Sequence, residues 1–171
     1  MKKVVAKITE MSIHYALKQV EHSVKAFQLF ETHAGLMPVE LCKEVFLPSV
    51  KAILGEVRET GVKTIYLPKG LGTGINMVNY DLCDCVSVDW QMPLHEVRGI
   101  VGEEMILQGN FDPRILEATP QAIDQEFEYF LNYVRKDHKW IFNLGHGLLP
   151  SIPVENVEYR VKKVKESDWG R

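Results

Sequence analysis

The sequence predicts an α/β fold built on parallel strands, and three observations predict it. Short apolar runs alternate five times with amphipathic stretches at helical spacing. Connections are short, and no low-complexity linker divides the 171 residues, so the chain reads as one domain over 1–171. Each apolar run ends in polar or glycine-bearing residues, the expected composition where strand ends share one functional edge.

The elements follow in order. Ile13, Leu17, Val20 and Val24 lie on one face of a stretch otherwise rich in Lys, Glu and Gln, which predicts a first amphipathic helix. AFQLFE (26–31), bounded by THAG, reads as the first strand; the next helix runs from about Pro38 to Thr60, interrupted at Pro48 and stopped at Gly61. KTIYLPKG then precedes a helical segment beginning near Ile75, and CVSVDW precedes PLHEVRGIVG. MILQGN precedes DPRILEA and QAIDQEFEYFLNYVRK, and WIFNLGHG precedes VENVEYRVKKVK. Five strands, each followed by a helix, predict a parallel sheet with right-handed crossovers.

Pattern alone leaves two architectures open, a doubly wound open sheet or a segment of a (β/α)8 barrel, whose eight units take about 250 residues. In both, ligands bind where strands end. That edge carries Glu31, Thr32 and His33, then Lys69 to Gly74, Asp89 and Trp90, Asn110 and Asp112, and His146.

Composition narrows the function classes. A formal charge of −3 and an isoelectric point near 6.1, without a basic run, give no footprint for nucleic acid. No stretch reaches the roughly 20 apolar residues of a membrane span. The opening MKKVVAKITEM is basic but lacks the apolar core of a signal peptide, so a cytoplasmic location is expected. The three cysteines are too few for a disulfide scaffold and suit a reducing compartment. Cys83 and Cys85 share a face if extended, yet no second pair completes a zinc set, so packing is expected and metal is not.

Single motifs carry little. PKGLGTGINM has glycines between a strand and a helix, but as GxGxG and not GxGxxG. In QGNFDP, Asp112 is placed to cap a helix with Pro113 at its first position. Thr32, Asp89 and His146 make an unpersuasive triad, and no GxSxG elbow occurs. More pointed is IFNLGHGLLPSIPVENV (141–157), where His146 stands between two glycines and ahead of Pro150 and Pro153. Glycine permits close approach of a bulky group, so the histidine reads as presented for contact.

Taken together, FQLFETHAG (27–35), VDW (88–90), LQGNFDP (107–113) and NLGHGLLPSIPVENV (143–157) resemble, in order and spacing, the uroporphyrinogen decarboxylase family. The resemblance covers about Ile8 to Lys165. It implies a TIM barrel enzyme of haem biosynthesis, a carboxy-lyase that converts uroporphyrinogen to coproporphyrinogen without metal or organic cofactor, usually as a homodimer. By position, Thr32 falls where the family has a substrate-contacting Ser or Thr, and His146 where it has a histidine reaching a substrate carboxylate.

No segment matches the family's arginine motif around RQAGRY, nor the aspartate and tyrosine of its early strands. The five strands therefore resemble the fourth to eighth of the barrel, and the family's acid and base residues are not present in this chain. The expectation is a fragment form that is completed by the amino-terminal half or paired as a homodimer. The alternative is a half-barrel that binds porphyrinogen or dimerises without catalysis. The sister methyltransferases carry a His-x-Cys zinc pattern, and none of the six histidines here has cysteine two residues later.

Overall fold

The computed structural model describes residues 2–170. Its five strands are β1 (Ala26–Glu31), β2 (Lys63–Pro68), β3 (Cys85–Ser87), β4 (Ile106–Gln108) and β5 (Trp140–Ile141). All four pairings are parallel and the order is sequential, β1 to β5. Sequential order removes the doubly wound alternative, whose strand order reverses at a switch point.

The helices are α1 (Lys2–Glu21), α2 (Val39–Leu41), α3 (Leu47–Glu59), α4 (Leu94–Val101), α5 (Pro120–Val134) and α6 (Val154–Glu166). Between α2 and α3 the five residues Cys42–Phe46 wind as a π-helix. The expected interruption thus lies just before Pro48, which has no N–H to give the preceding turn and sits in the first turn of α3.

Two expectations need correction. No α-helix follows β2: Gly72–Met77 forms a 3-10 helix, and Val78 is already extended. Leu71, Ile75 and Val78 imitate helical spacing, but Gly72 adopts φ +57° and all three are buried by loop packing. Likewise DPRILEA is a 3-10 turn, Pro113–Glu117, and the α-helix begins anew at Pro120 with Thr119 as its cap. Val24 lies beyond the end of α1, where Ser23 turns the chain at φ +64°.

Register assigns each strand residue to a face. Phe27, Tyr66, Val86, Leu107 and Trp140 are buried in the apolar cluster that also holds Leu54 and Val57 of α3, Val97 of α4 and Phe130 of α5. The opposite face carries Gln28 beside Ile65, Phe30 beside Leu67, Ile65 beside Cys85, Ser87 beside Gln108, and Gln108 beside Ile141. Gln108 Nε2 donates to Ser87 Oγ at 3.1 Å and to Gln28 Oε1 at 3.3 Å. Strands three places apart in a flat sheet are roughly 14 Å apart, so the β1–β4 bond requires this face to be curled inward.

The amino-terminal ends of the strands are tied by two charged networks. Asp84 accepts from the Thr64 backbone, the Thr64 hydroxyl and the Lys63 ammonium. Arg98 pairs with Asp137 at 2.7 Å and donates to the carbonyls of Gly102, Met105 and Lys139. Among the described residues, no helix is long and apolar enough to cross a membrane.

Candidate functional site

The curled face opens at the carboxyl ends of the strands into a cavity of about 480 Å³. Thr32, directly after β1, lines it together with Gln28, Lys69, Ser87, Asn143 and His146. Residues flanking β1 and β5, the two outer strands, therefore share one cavity.

Close backbone contacts set this geometry. Asn110 is buried and donates from Nδ2 to Asp89 O at 2.9 Å and Met92 O at 2.6 Å, which fixes the loop carrying Trp90. The loop after β5 then packs onto the loop after β3: a Cβ on Gly145 would lie 2.7 Å from Trp90 N and 3.1 Å from Asp89 Cα. Gly145 N also donates to Phe111 O at 2.8 Å. Gly147 has nothing within 4 Å of such a Cβ, so only the first of the two glycines beside His146 is demanded by packing. On the other side, Gly35 N donates to Lys69 O at 2.9 Å, and a Cβ on Gly35 would overlap Gly70 O. That contact holds the Thr32 loop against Lys69.

The polar residues at the strand ends divide into two groups. Asp89 accepts from the backbone N–H groups of Gly70 and Gln91. Because the Gly70 N–H is spent there, the glycine-bearing loop does not present it to a phosphate. Asp112 takes the fork of Arg114, with Nε at 3.0 Å and Nη2 at 2.6 Å from its oxygens, and accepts from Arg114 N as the cap of the 3-10 turn. Burial pushes the Asp112 carboxyl up, but the Arg114 bonds outweigh it and hold it below the usual carboxylate range. Glu31 accepts the Tyr66 hydroxyl.

Thr32, Lys69 and His146 are left lining the opening. The Trp90 ring neighbours two of these and Arg114: Lys69 Nζ stands 5.8 Å from its centroid, Arg114 Cζ 5.2 Å, and the His146 ring 6.2 Å in an edge-on arrangement. The His146 Nδ1 lies 3.1 Å from Gly147 O, and among the described residues Nε2 has no hydrogen-bond partner.

The thiols take no part. Cys83 and Cys85 are buried, and burial pushes both up to about 12, so they stay protonated in the core. Among the described residues, no three His, Cys, Asp or Glu side chains cluster as metal ligands.

Sequence reasoning did not single out the polar layer of Gln28, Ser87 and Gln108, nor Trp90 as the hub. The layer has a sequence signal: on one face of each of three strands, a single polar residue among apolar ones. The role of Trp90 has none, because its neighbours come from three other loops.

Sequential parallel strands and a cavity at their carboxyl ends, edged by a cation, a hydroxyl and a histidine, define an α/β protein with a polar cavity at the ends of its strands. The family model for uroporphyrinogen decarboxylase (URO-D) matches residues 1–167. The chain belongs to the uroporphyrinogen decarboxylase family. It is 34% identical over 155 residues to the uroporphyrinogen decarboxylase of Trichlorobacter lovleyi, covering 91% of this chain and 46% of that one. The Pelobacter propionicus relative is 32% identical over 159 residues, at 93% and 47% coverage. The Francisella philomiragia relative is 30% identical over 163 residues, at 94% and 47%. A methyltransferase from Methanosarcina mazei shares the fold, with a TM-score of 0.65 and 16% identity, over 92% of this chain and 47% of that structure. The chain spans about half the length of the curated relatives it matches.

Proposed function

We propose that this chain is the carboxyl-terminal, rim-bearing part of a uroporphyrinogen decarboxylase barrel, resembling its fourth to eighth βα units. It would hold porphyrinogen for conversion to coproporphyrinogen. The observation that carries the reading is the convergence of Thr32 and His146, from opposite edges of the sheet, on one cavity at the strand ends.

The chemistry fits a binding role for these two side chains. The Thr32 hydroxyl donates one hydrogen bond to a carboxylate, and the His146 ring, whose Nδ1–H is directed at Gly147 O, donates from Nε2 as well when it is protonated. Loss of carbon dioxide from an acetate side chain also needs a proton on the pyrrole as electron sink, delivered by a positioned acid. The carboxyl groups of Glu31, Asp89 and Asp112 are each engaged by partners within the chain. Proton delivery is therefore assigned to the part of the family's length that this sequence does not match.

Both outer strands support completion by a second polypeptide. Phe30 of β1 is 63% exposed and Ile141 of β5 is 43% exposed, and both lie on the curled face. Val4, Ile8, Met11 and Tyr15 form an exposed apolar stripe on α1, away from Ala16, which packs inward. Free strand edges beside uncovered apolar surface are what a missing strand and helix would leave. A second copy of the chain is the alternative occupant, and it would give a binding module without turnover.

The test is anaerobic coproporphyrinogen formation from uroporphyrinogen, by the chain alone and with the family's amino-terminal half added as a separate polypeptide. Negligible turnover alone and turnover on addition is the expected result. Turnover alone near that of a full-length relative would overturn the assignment of proton delivery, and no turnover in either arm would favour the binding module.

A further inference from the structure

Lys69 is the cation at the opening with no carboxylate partner. Among the described residues no carboxylate lies within 4.0 Å of its ammonium, while the Arg114 guanidinium beside it is forked onto Asp112. The nearby acids are spent elsewhere, Asp89 on the Gly70 and Gln91 backbone and Glu31 on Tyr66. The Lys69 backbone is fixed as well: its N–H donates to Glu31 O at 3.2 Å and its carbonyl accepts from Gly35 N at 2.9 Å. A half-buried lysine held over an indole ring, lining the same cavity as Thr32 and His146, is arranged for an anion that the chain itself does not supply.

We propose that Lys69 binds a second carboxylate of the same polycarboxylate ligand whose first carboxylate is met by His146, with Trp90 as the apolar surface between them. The proposal rests on the porphyrinogen reading above and adds a recognition residue to it. Two donors beside one aromatic ring suit a ligand that carries several carboxylates around an aromatic or pyrrolic frame. A mono-acid would leave one donor unanswered. Ionic recognition of this kind loses strength with salt in proportion to the charges engaged.

The experiment measures binding of uroporphyrin, a stable octacarboxylate probe, to the full chain by Trp fluorescence quenching at 50 and 200 mM salt. The proteins are wild type, Lys69→Gln, Lys69→Arg and His146→Asn. Loss of one charge-assisted bond weakens binding about tenfold, so Lys69→Gln should bind about tenfold more weakly with a shallower salt dependence, and Lys69→Arg should restore most of both. A merely structural lysine would move neither the salt dependence nor its rescue by arginine. If His146→Asn weakens binding and Lys69→Gln leaves affinity and salt dependence unchanged, the Lys69 proposal is wrong while the porphyrinogen reading stands. If wild type does not bind uroporphyrin at all, both fail together.

Discussion

Replacing Gly145 with alanine isolates the contact that presents His146. The added Cβ would sit 2.7 Å from Trp90 N and 3.1 Å from Asp89 C and Cα, all backbone atoms that no side-chain rotation can clear. Comfortable separation between such atoms is about 3.5 Å, so the two loops must part by about half an ångström or more. Forced overpacking of this kind costs about 1–3 kcal/mol. At a urea dependence of about 1–3 kcal/mol per molar, the unfolding midpoint should fall by on the order of 1 M. Gly147→Ala is the internal control. Its Cβ meets nothing within 4 Å and its φ is outside the left-handed region, so removing glycine's freedom in the unfolded chain should leave stability level or raise it by about 0.4–1 kcal/mol. The assay is urea unfolding followed by far-UV circular dichroism, with uroporphyrin affinity measured in parallel. Equal midpoints for the two variants would refute the claim that this approach fixes the loop after β5 against Trp90.

Three further outcomes can be checked. Burial raises the Asp84 and Asp137 carboxyls, but bonds from Thr64 and Lys63 to the first and from Arg98 and Tyr133 to the second outweigh it and hold both below the usual carboxylate range. A carboxyl whose folded pKa lies below its unfolded value near 3.9 stabilises fully above that value and loses the contribution as pH falls through the folded one; urea midpoints should be flat from about pH 7 to 5 and drop below about pH 4. Asp137→Asn should cost about 2–3 kcal/mol at pH 7 and flatten part of that acid limb. Cys83 and Cys85 should resist a thiol reagent at pH 8 until the chain is unfolded, since burial pushes both up to about 12, and reaction at the native rate of an exposed thiol would contradict the packed core. Phe30→Lys, on an exposed edge, should leave the fold intact and abolish turnover in the complementation assay, where unchanged turnover would remove β1 from the completing interface.

What the sequence made legible followed local periodicity, and what it hid followed contacts between distant loops. Alternation located all five strands, and their short connections predicted the parallel sheet. The helix expected to begin near Ile75 is a 3-10 turn instead, because buried apolar residues in such a turn can show the spacing of a helix. α1 carries two apolar stripes, Ile13 with Val20 and Val4 with Ile8, Met11 and Tyr15; only the first packs, and nothing in a single helix says which. The strand-end residues were all readable as polar. Their division into Asp89, Asn110 and Asp112, which hold loops, and Thr32, Lys69 and His146, which face the cavity, depends on bonds such as Gly70 to Asp89 and Asn110 to Met92, each about twenty residues long in sequence. The sequence likewise put glycine on both sides of His146, and only the structure distinguishes Gly145, pressed against Trp90, from Gly147 in open space.

Those loop contacts also bear on how a five-stranded sheet can hold an ordered site. Each contact that shapes the opening joins loops of neighbouring strands or of strands within this chain: Gly35 to Lys69, Asp89 to Gly70, Asn110 to Asp89 and Met92, and Gly145 to Trp90. None uses the outer edge of β1 or the exposed stripe of α1. The charged networks of Asp84 and Arg98 lie at the opposite, amino-terminal ends of the strands, where they brace the sheet without touching the cavity. The bracing ion pairs, the ligand contacts and the assembly surfaces thus centre on different parts of the sheet: its lower ends, its upper ends and its two sides. Removing a bracing ion pair at the lower ends should therefore leave the loop contacts at the opening in place. Phe30 is the stringent case because it belongs to the outer strand and also lines the cavity. If lysine there removed uroporphyrin binding together with complementation, the opening would depend on its edge, and preorganisation by the loop contacts alone would be disproved.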